Sequence, residues 1–295
     1  MKLVGILPVR NEAWILGLSA RVALAWCDEL VILDHASTDT SRWIVDAIAA
    51  ENYAADRIAR LAVRDGQWDE MTHREMMLQV ARKRKATHII IIDADEILTA
   101  NLLPIIRDAV IAMPSGFIMS LPGYNLRGSL DRYHVNGIWG NRWFSLCFQD
   151  DPNLSWQGDC FHSREPGGMR LRQYQPVAQG DGGVMHLWGV SERRLKAKHA
   201  LYKITERLRW PQKRVEGIDQ EYSWAIHGDS RERSLGTPDT WGYGDVPAAW
   251  WGQYREQWGK YLDVDAVPWQ EAECRRLIEE YGPEPFSRLD LFGVV

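Results

Sequence analysis

Residues 89–96 read IIIIDADE, and a continuous apolar run that ends in acids is typical of a buried parallel strand. It places the carboxylates of Asp93 and Asp95 two residues apart at the strand end. Mg²⁺ and Mn²⁺ prefer oxygen ligands and are often held by one or two carboxylates together with substrate phosphates. The stretch therefore predicts a site for a divalent cation and a diphosphate. The alternative is that Asp95 or Glu96 caps a helix beginning near Asn101.

Three repeats of an apolar strand followed by an amphipathic segment precede this stretch. The pattern predicts strands at 3–7, 29–34 and 58–63, and helices at 12–26, 40–50 and 70–84. Such alternation predicts an α/β fold with a parallel sheet covered on both faces. Ligands of these sheets bind beyond the carboxyl ends of the strands. Polar clusters stand at three of the predicted ends, at 10–12, 34–39 and 93–96.

Several motifs occur together in one order. PVRNE at 8–12, LDHASTD at 33–39 and IDADE at 92–96, with Arg74 ahead of the last, resemble the motifs of family 2 glycosyltransferases. The resemblance continues through NRWF at 141–144, the stretch 156–162 and MHLW at 185–188, and covers about residues 1–210. It implies a GT-A fold, which is Rossmann-like with a mostly parallel central sheet flanked by helices. It also implies transfer of a sugar from a nucleoside diphosphate sugar, with a UDP-sugar favoured, to an acceptor hydroxyl.

The resemblance implies which residues bind the nucleotide sugar. They are Pro8, Arg10, Asn11, Glu12, Asp34, Ser37, Asp39, Arg74, Asp93 and Ala94. Asp34 resembles the carboxylate aimed at the base or ribose, and Arg74 resembles the arginine that approaches the phosphates or ribose. Two alternatives stay open. Asp39 is also a good N-cap for a helix starting at Thr40, and Arg74 is also read as a solvated helix charge ahead of the basic run 82–85.

The metal ligands implied by the resemblance are Asp93, Asp95 and His186, with Asp95 favoured as the direct carboxylate ligand. His186 resembles the strand-end histidine that completes the metal shell. Imidazole suits Mn²⁺ better than Mg²⁺, so Mn²⁺ is favoured if His186 binds. Such a metal stabilises the charge that develops on the departing diphosphate. The alternative for His186 is a buried, hydrogen-bonded histidine beside Trp188.

The general base is the least defined part of the site. An inverting transfer needs a carboxylate that accepts the proton of the acceptor hydroxyl. Relatives often carry His-Glu here, whereas this chain has Ser163 after His162, so Asp159 and then Glu165 are the candidate catalytic residues. Other acids compete: they are Asp131, Asp150 and Asp151, of which the last two read more simply as a turn.

A predicted helix over 192–209 carries basic residues in its first two turns, although the helix dipole favours acids there. Lys198 or Arg194 is therefore a candidate for neutralising the departing diphosphate. A solvated amphipathic face explains the same residues equally well.

Composition bounds the class of protein. A net charge of −5 and the lack of a basic tail argue against extended nucleic-acid binding. The four cysteines are isolated, which argues against a zinc site or a disulfide framework and predicts reduced thiols in a cytoplasmic protein. No apolar run reaches membrane-spanning length, and Met1-Lys2-Leu3 leads directly into a strand. Peripheral contact with the inner membrane face through the helix at 192–209 stays open, as does the oligomeric state.

Fifteen tryptophans, most of them after residue 138, are the unusual feature of the composition. Any single tryptophan is better explained by packing, but as a group they favour a carbohydrate acceptor. The predicted organisation is a GT-A domain at 1–210, with a nucleotide-sugar half at 1–100 and an acceptor half at 101–210. An extension follows at 211–295, with an ordered loop or lid at 236–252 and a helix at 269–281.

Two other classes of function stay open. A haloacid dehalogenase phosphatase also uses a strand that ends in Asp-x-Asp, with Asp93 as the nucleophile, although its motif lies on the opening strand. A non-catalytic nucleotide or sugar binder that has kept the fold is the second. The donor sugar, the acceptor and the stereochemistry depend on pocket shape, which short motifs do not encode.

Overall fold

The computed structural model describes residues 1–51, 54–64, 69–157, 163–228 and 236–295. The strands are β1 Leu3–Val9, β2 Glu29–His35, β3 Ile58–Val63, β4 His88–Ile91, β5 Glu96–Leu98, β6 Phe117–Asn125, β7 Arg132–His134, β8 Arg142–Gln149, β9 Arg172–Tyr174, β10 Val184–His186 and β11 Tyr243–Asp245. The helices are α1 Ala13–Leu24, α2 Ser41–Ala49, α3 Glu70–Lys83, α4 Ile106–Ala112, α5 Glu192–Arg209, α6 Val215–His227, α7 Ala248–Trp251, α8 Tyr254–Trp258 and α9 Trp269–Tyr281.

The strands form one large sheet in the order β3-β2-β1-β4-β8-β6-β10-β5, with β9 beside β6. β1 runs parallel to β2 and to β4, and β2 runs parallel to β3. β8 is antiparallel to both β4 and β6. A separate antiparallel pair joins β7 and β11. The fold is mixed α/β, with a mostly parallel central sheet flanked by helices, and this confirms the fold class predicted from the sequence.

The core follows the two-residue period of the strands. Val4 and Ile6 on β1 share one face of the sheet with Ile89 and Ile91 on β4, and they belong to one buried cluster. Helix α3 adds Met77 to the same cluster. Because the opposite face of β1 is also buried, the strand reads as a continuous apolar run rather than an alternating one.

Most predicted elements have the expected position. β3 and α9 have the predicted bounds, and α5 ends at Arg209 as the tryptophan-proline pair at 210–211 indicates. The alternative of a helix beginning near residue 101 corresponds only to a short 3₁₀ helix at Ala100–Leu102, and the next α-helix begins at Ile106. The segment 236–252, expected to be an ordered loop or lid, contains β11 and α7.

The chain forms two compact units. Unit 1 comprises Met1–Gly123, Arg142–Met185 and Pro247–Asp263, and unit 2 comprises Tyr124–Asn141, His186–Val246 and Val264–Val295. The last segment of unit 1 packs on α1, where the Arg21 guanidinium lies 3.7 Å from the centre of the Tyr261 ring. The units are interleaved along the chain, and the sequence-based division at residue 210 stays a prediction.

Unit 2 has its own apolar core. Helices α5, α6 and α9 contribute Ile204, Ile218 and Cys274 to it. Lys203 is fully buried beside this core, and its Nζ donates to Asp219 Oδ1 at 2.8 Å, Ser223 Oγ at 2.8 Å and the Asp290 carbonyl at 2.7 Å. A buried ammonium is tolerated here because each of its three N–H groups has an acceptor.

Two expectations from composition concern thiols and membranes. Cys27, Cys147 and Cys274 are free and buried, and burial raises the pKa of each thiol. Cys160 lies outside the described residues. Within the described ranges, no helix has the length and apolar character needed to cross a membrane.

Candidate functional site

The carboxyl ends of β1, β2 and β4 lie side by side in unit 1. The register pairs Val9 of β1 with Asp34 of β2, and Ile6 of β1 with Ile91 of β4. Asp93 follows β4 by two residues, and Arg10 follows β1 directly. The parallel sheet thus gathers the ends of these strands at one edge, which is where ligands of such sheets bind.

Asn11 joins the loops after β1 and β2. Its backbone lies in the left-handed region at φ 55°, and its Oδ1 accepts from Thr38 N at 2.6 Å and Asp39 N at 3.1 Å. Its N–H donates to Ser37 Oγ at 2.9 Å. An asparagine suits this position because it tolerates the left-handed region and accepts from a turn backbone. Asn11 and Ser37 therefore build the loop, and contact between either residue and a nucleotide stays a prediction.

Asp39 also holds backbone. Its Oδ2 accepts from Ala13 N at 3.0 Å at the start of α1, and its Oδ1 accepts from Ser41 N at 2.9 Å at the start of α2. The N-cap of α2 is Thr40, whose side chain makes no capping hydrogen bond, so Asp39 supplies an acceptor one residue earlier than a standard N-cap. The prediction that Asp39 is the N-cap is therefore wrong by one residue, and contact between Asp39 and a nucleotide stays a prediction.

Asp34 presents an unsatisfied acceptor. The residue is 8% exposed, and its Oδ1 accepts from Ser37 N at 3.2 Å. Its Oδ2 has no hydrogen-bond partner within the described part of the chain, and the nearest cation, Arg64 Nη1, lies 3.9 Å away. A buried carboxylate oxygen without a donor is costly, so this atom is suited to accept an N–H or O–H from a ligand.

Arg74 is buried on α3, at 3% exposure, so the reading of this residue as a solvated helix charge is wrong. Its Nε donates to Glu70 Oε1 at 2.8 Å, and its Nη2 donates to Asp93 Oδ1 at 3.0 Å. Its Nη1 is buried and has no acceptor in the described ranges. A guanidinium with one free nitrogen beside an acidic strand end is suited to bind a phosphate oxygen.

Arg164 is the residue that sequence reasoning missed. Its Nη1 donates to Asp93 Oδ2 at 3.1 Å and Glu96 Oε1 at 2.7 Å, and its Nη2 donates to Glu96 Oε2 at 2.6 Å. Its remaining donors reach the carbonyls of Ile91 at 3.1 Å and Ser145 at 2.6 Å. Its position next to Glu165 marked it as part of a candidate stretch, but nothing in the sequence connects it with an acid 71 residues away.

The two arginines set the charge of the acidic strand end. Burial raises the pKa of the Asp93 carboxyl, but Arg74 and Arg164 outweigh burial and hold that pKa below its ordinary value. Asp95 opposes them, because its negative charge lies close enough to Asp93 to raise the same pKa. Glu96 lies within β5, and the 3₁₀ turn that follows is N-capped at Thr99. The alternative that Asp95 or Glu96 caps a helix near residue 101 is therefore wrong.

The donor set fits a hard cation that also binds phosphate. Asp95 is buried close to Asp93, and both offer carboxylate oxygens, the ligands that Mg²⁺ and Mn²⁺ prefer. Over the described residues, no group of three or more His, Cys, Asp or Glu side chains is placed to hold a metal ion. A cation at this strand end would therefore need further oxygen ligands, such as those of a diphosphate and water.

Of the two candidates for the general base, the structure describes only Glu165. Asp159 lies outside the described residues. Glu165 is exposed, and its Oε1 accepts from Ser145 Oγ at 2.5 Å and from Gln173 Nε2 at 3.1 Å. Neither assignment is tested by this geometry, and both stay predictions.

His186 and Lys198 belong to unit 2. His186 ends β10, is partly buried, and makes a 3.0 Å hydrogen bond from its Nδ1 to Asn125 Oδ1. Lys198 lies on α5 with its Nζ 5.7 Å from the centre of the Trp188 ring. Trp188 is itself buried, in agreement with the packing reading of single tryptophans. The metal role of His186 and the phosphate role of Lys198 stay predictions.

The site is thus an edge of a mixed α/β sheet where buried acids and arginines meet. No protein-family model matches the chain, and no curated protein matches it significantly. Several solved structures, in contrast, are similar to the chain. One is TarS 1–349 of S. aureus with UDP, at 16% identity, TM-score 0.37, over 43% of this chain and 37% of that one. The same protein with UDP-GlcNAc aligns at 12% identity, TM-score 0.47, over 98% and 94% of the two chains.

Another is the mannosyltransferase PcManGT of Pyrobaculum calidifontis with GDP-Man and Mn²⁺. It aligns at 14% identity and a TM-score of 0.42, over 76% of this chain and 72% of that one. At these identities and TM-scores the similarities assign no function to the chain.

Proposed function

We propose that the chain is a metal-dependent glycosyltransferase that moves a sugar from a nucleoside diphosphate sugar, in the first instance a UDP-sugar, to a hydroxyl of a carbohydrate acceptor. One observation carries the proposal. Asp34 Oδ2 and Arg74 Nη1 are buried without described partners at the strand edge that also holds Asp93 and Asp95. An acceptor and a cationic donor on this edge suit the two ends of a nucleoside diphosphate.

Asp34 is proposed to bind the nucleoside. A carboxylate oxygen accepts hydrogen bonds only, so Asp34 Oδ2 would select a base with a ring N–H, such as uracil, or a ribose hydroxyl. The other oxygen of Asp34 is held by the backbone N–H of Ser37, which fixes the direction of the carboxylate. A fixed acceptor gives specificity because a ligand that lacks the matching donor leaves it unsatisfied.

Arg74 and the acidic pair are proposed to bind the diphosphate. A divalent cation held by Asp93 and Asp95 would neutralise negative charge on the departing phosphate oxygens. Arg74 Nη1 would donate to a phosphate oxygen while Nε and Nη2 stay bound to Glu70 and Asp93. Because that guanidinium is already oriented by two carboxylates, little side-chain order has to be created when the donor binds.

Transfer also needs a base for the acceptor hydroxyl. Asp159 stays the first candidate and Glu165 the second. Glu165 Oε1 already accepts hydrogen bonds from Ser145 and Gln173, so this oxygen is less open to the proton of an acceptor hydroxyl. An inverting course follows if one of these carboxylates accepts the proton while the hydroxyl attacks from the face opposite the diphosphate.

The phosphatase reading is disfavoured by the place of Asp93 in the fold. Asp93 follows β4, whereas that class of phosphatase carries its Asp-x-Asp motif on the opening strand. A non-catalytic nucleotide binder has the same binding residues as the transferase. It differs from the transferase only in turnover, so a transfer assay separates these two functions.

The test is calorimetric titration of the chain with UDP, GDP and dTDP, each with and without Mn²⁺. We expect one nucleotide to bind in a metal-dependent way. Asp34→Asn should weaken it about tenfold to hundredfold, because an N–H₂ group can replace the acceptor oxygen. Asp95→Asn should abolish the effect of Mn²⁺. Asp46→Asn, which alters a half-exposed acid of α2 in the same unit, is the matched control and should bind like the wild type.

The following results would contradict the proposed function. If none of the three nucleotides binds, or if Asp34→Asn binds as tightly as the wild type, the nucleotide-sugar function is wrong. If the nucleotide binds but no UDP-sugar is consumed with any saccharide acceptor, the chain is a binder rather than a transferase.

A further inference from the structure

Asp93 lies between two arginines of unit 1, and each oxygen of its carboxylate accepts from one of them. Oδ1 accepts from Arg74 Nη2 at 3.0 Å, and Oδ2 accepts from Arg164 Nη1 at 3.1 Å. An arginine and a carboxylate often form two parallel hydrogen bonds, in which both oxygens meet one guanidinium. Asp93 instead divides its oxygens between the two arginines.

Arg164 is anchored by further contacts. Its Nη1 and Nη2 donate to the two oxygens of Glu96 at 2.7 and 2.6 Å. Its Nε donates to the Ser145 carbonyl at 2.6 Å, and Nη2 also donates to the Ile91 carbonyl at 3.1 Å. With the bond to Asp93, these contacts use all five N–H groups of the guanidinium. Arg164 is therefore a fixed donor to Asp93 Oδ2.

Arg74, in contrast, has a nitrogen to spare. Its Nε donates to Glu70 Oε1 and its Nη2 to Asp93 Oδ1, whereas its Nη1 is buried without an acceptor in the described part of the chain. If Asp93 turned its second oxygen towards Arg74, Nη1 and Nη2 would form a bidentate pair with it. Nη1 would then no longer be open to a phosphate oxygen. The hydrogen bond from Arg164 opposes this turn.

We propose that Arg164 is a positioning residue for donor binding. By holding Oδ2 of Asp93, it prevents a bidentate pair between Asp93 and Arg74 and keeps Arg74 Nη1 available to a phosphate oxygen. The inference rests on the proposed function for its ligand, whereas the arrangement of the three side chains is a property of the ligand-free chain. Arg164 does not contact the donor itself, because its N–H groups are all engaged.

The test variant is Arg164→Lys, which keeps the positive charge but replaces the planar fork by a single ammonium. Because the contacts of Arg164 with Glu96 are shorter than its contact with Asp93, the ammonium should stay with Glu96 and release Asp93 Oδ2. Arg82→Lys is the matched control. Arg82 lies near the carboxyl end of α3, where it also pairs with both oxygens of one acid, Asp150, and donates to two carbonyls.

The first measurement is the ¹H–¹⁵N spectrum of the arginine guanidinium groups in the ligand-free, metal-free chain. Arg74→Lys identifies the signals of Arg74. We expect the Nη1 hydrogens of Arg74 to move downfield in Arg164→Lys, because they gain a hydrogen bond to Asp93. In Arg82→Lys they should stay at the wild-type position.

The second measurement is calorimetric titration with UDP and with uridine, each in the presence of Mn²⁺. The affinity for UDP should fall about tenfold to hundredfold in Arg164→Lys, which is the range for one hydrogen bond to a charged group. Uridine has no phosphate, so it should bind equally to the wild type and to both variants. Arg164→Met removes the cation altogether and should show the same spectral change and the same loss of UDP affinity.

Spectra of the wild type with UDP and Mg²⁺ keep the proposal testable if neither variant of Arg164 folds. The signals of Arg74 should move when UDP binds, and those of Arg164 should not. Movement of the Arg164 signals alone would make that residue the phosphate contact and overturn its positioning role.

The outcomes separate this proposal from the proposed function. Unchanged Arg74 signals in a folded Arg164→Lys variant, or a UDP affinity equal to that of Arg82→Lys, overturn the role of Arg164. An equal loss of UDP and uridine binding overturns it as well, because the defect then does not concern the phosphates. If the wild type binds no UDP, the proposed function is wrong, and the ligand-free spectra still decide whether Arg164 keeps Asp93 from pairing with Arg74.

Discussion

Replacing His134 by phenylalanine is expected to remove part of the acid sensitivity of the folded chain. His134 lies on β7, is 3% exposed, and has no described hydrogen-bond partner at either ring nitrogen. Burial, with Arg127 and Arg132 nearby, lowers the pKa of His134 from 6.5 to about 4. Its ring packs against the rings of Tyr243 and Trp241, at centroid distances of 4.9 and 5.3 Å, so an aromatic replacement keeps the packing.

The direction of the pH effect on the free energy of unfolding follows from proton binding. Between pH 6.5 and about 4, the unfolded chain binds a proton at His134 that the folded chain does not. The free energy of unfolding therefore falls as the pH falls through this window, and the contribution is fully present above it. At 1.36 kcal/mol per pH unit, the full loss is about 3 kcal/mol, of which roughly 2 kcal/mol is lost between pH 7 and pH 4.5.

The assay is urea unfolding at pH 7.0 and pH 4.5, followed by tryptophan fluorescence. We expect His134→Phe to lose roughly 2 kcal/mol less than the wild type between the two pH values. His199, whose pKa burial lowers to about 3, keeps part of the sensitivity in both proteins. His227→Gln alters an exposed histidine of the same unit and is the control. Equal losses in the wild type and His134→Phe would mean that His134 does not contribute to the acid sensitivity of the folded chain.

Three substitutions test the packing and charge arguments by the same unfolding measurement. Arg164→Leu removes the arginine that pairs with the carboxylates of both Asp93 and Glu96 and should cost about 3–5 kcal/mol. Lys203→Met removes three buried hydrogen bonds and should cost roughly 2–3 kcal/mol. Phe148→Ala opens a cavity in a fully buried part of unit 1 and should cost about 3–5 kcal/mol.

Exposed residues of the same kinds are the controls for these substitutions. Arg288→Leu and Lys260→Met alter cations at the surface and should change the free energy of unfolding by less than about 0.5 kcal/mol. An Arg164→Leu variant as stable as Arg288→Leu would mean that the ion pairs of Arg164 do not hold the acidic strand end. The same comparison of Lys203→Met with Lys260→Met tests the buried lysine.

The parts of the fold that the sequence predicts are the local ones. β3 and α9 have their predicted bounds because each is defined by its own apolar period and by the residues that end it. The order of the strand-end clusters along the chain follows from the same local patterns. The side-by-side position of β1, β2 and β4 then brings Asp34 and Asp93 to one edge of the sheet.

The parts that could not be predicted depend on distant pairs. Arg164 meets Asp93 and Glu96 across about seventy residues, and its neighbouring residues carry no sign of that contact. The hydrogen bonds of Asn125 with Trp139, His186 and Trp188 were not predicted either, because these partners lie far from Asn125 in the sequence. The burial of Arg74 excludes its interpretation as a solvated helix charge. Burial depends on the tertiary structure, so the helix periodicity alone did not reveal it.

The interleaving of the two units has a consequence for biosynthesis. Gly17 on α1 is met so closely by Tyr261 that a Cβ at residue 17 would lie 2.7 Å from the tyrosine Cβ, and Trp14 accepts a 2.8 Å hydrogen bond from the backbone of Asp263. The surface of α1 is therefore completed by residues that the ribosome adds some 240 positions later. A nascent chain stopped at residue 210 would expose this apolar surface, so the full unit 1 forms late in translation.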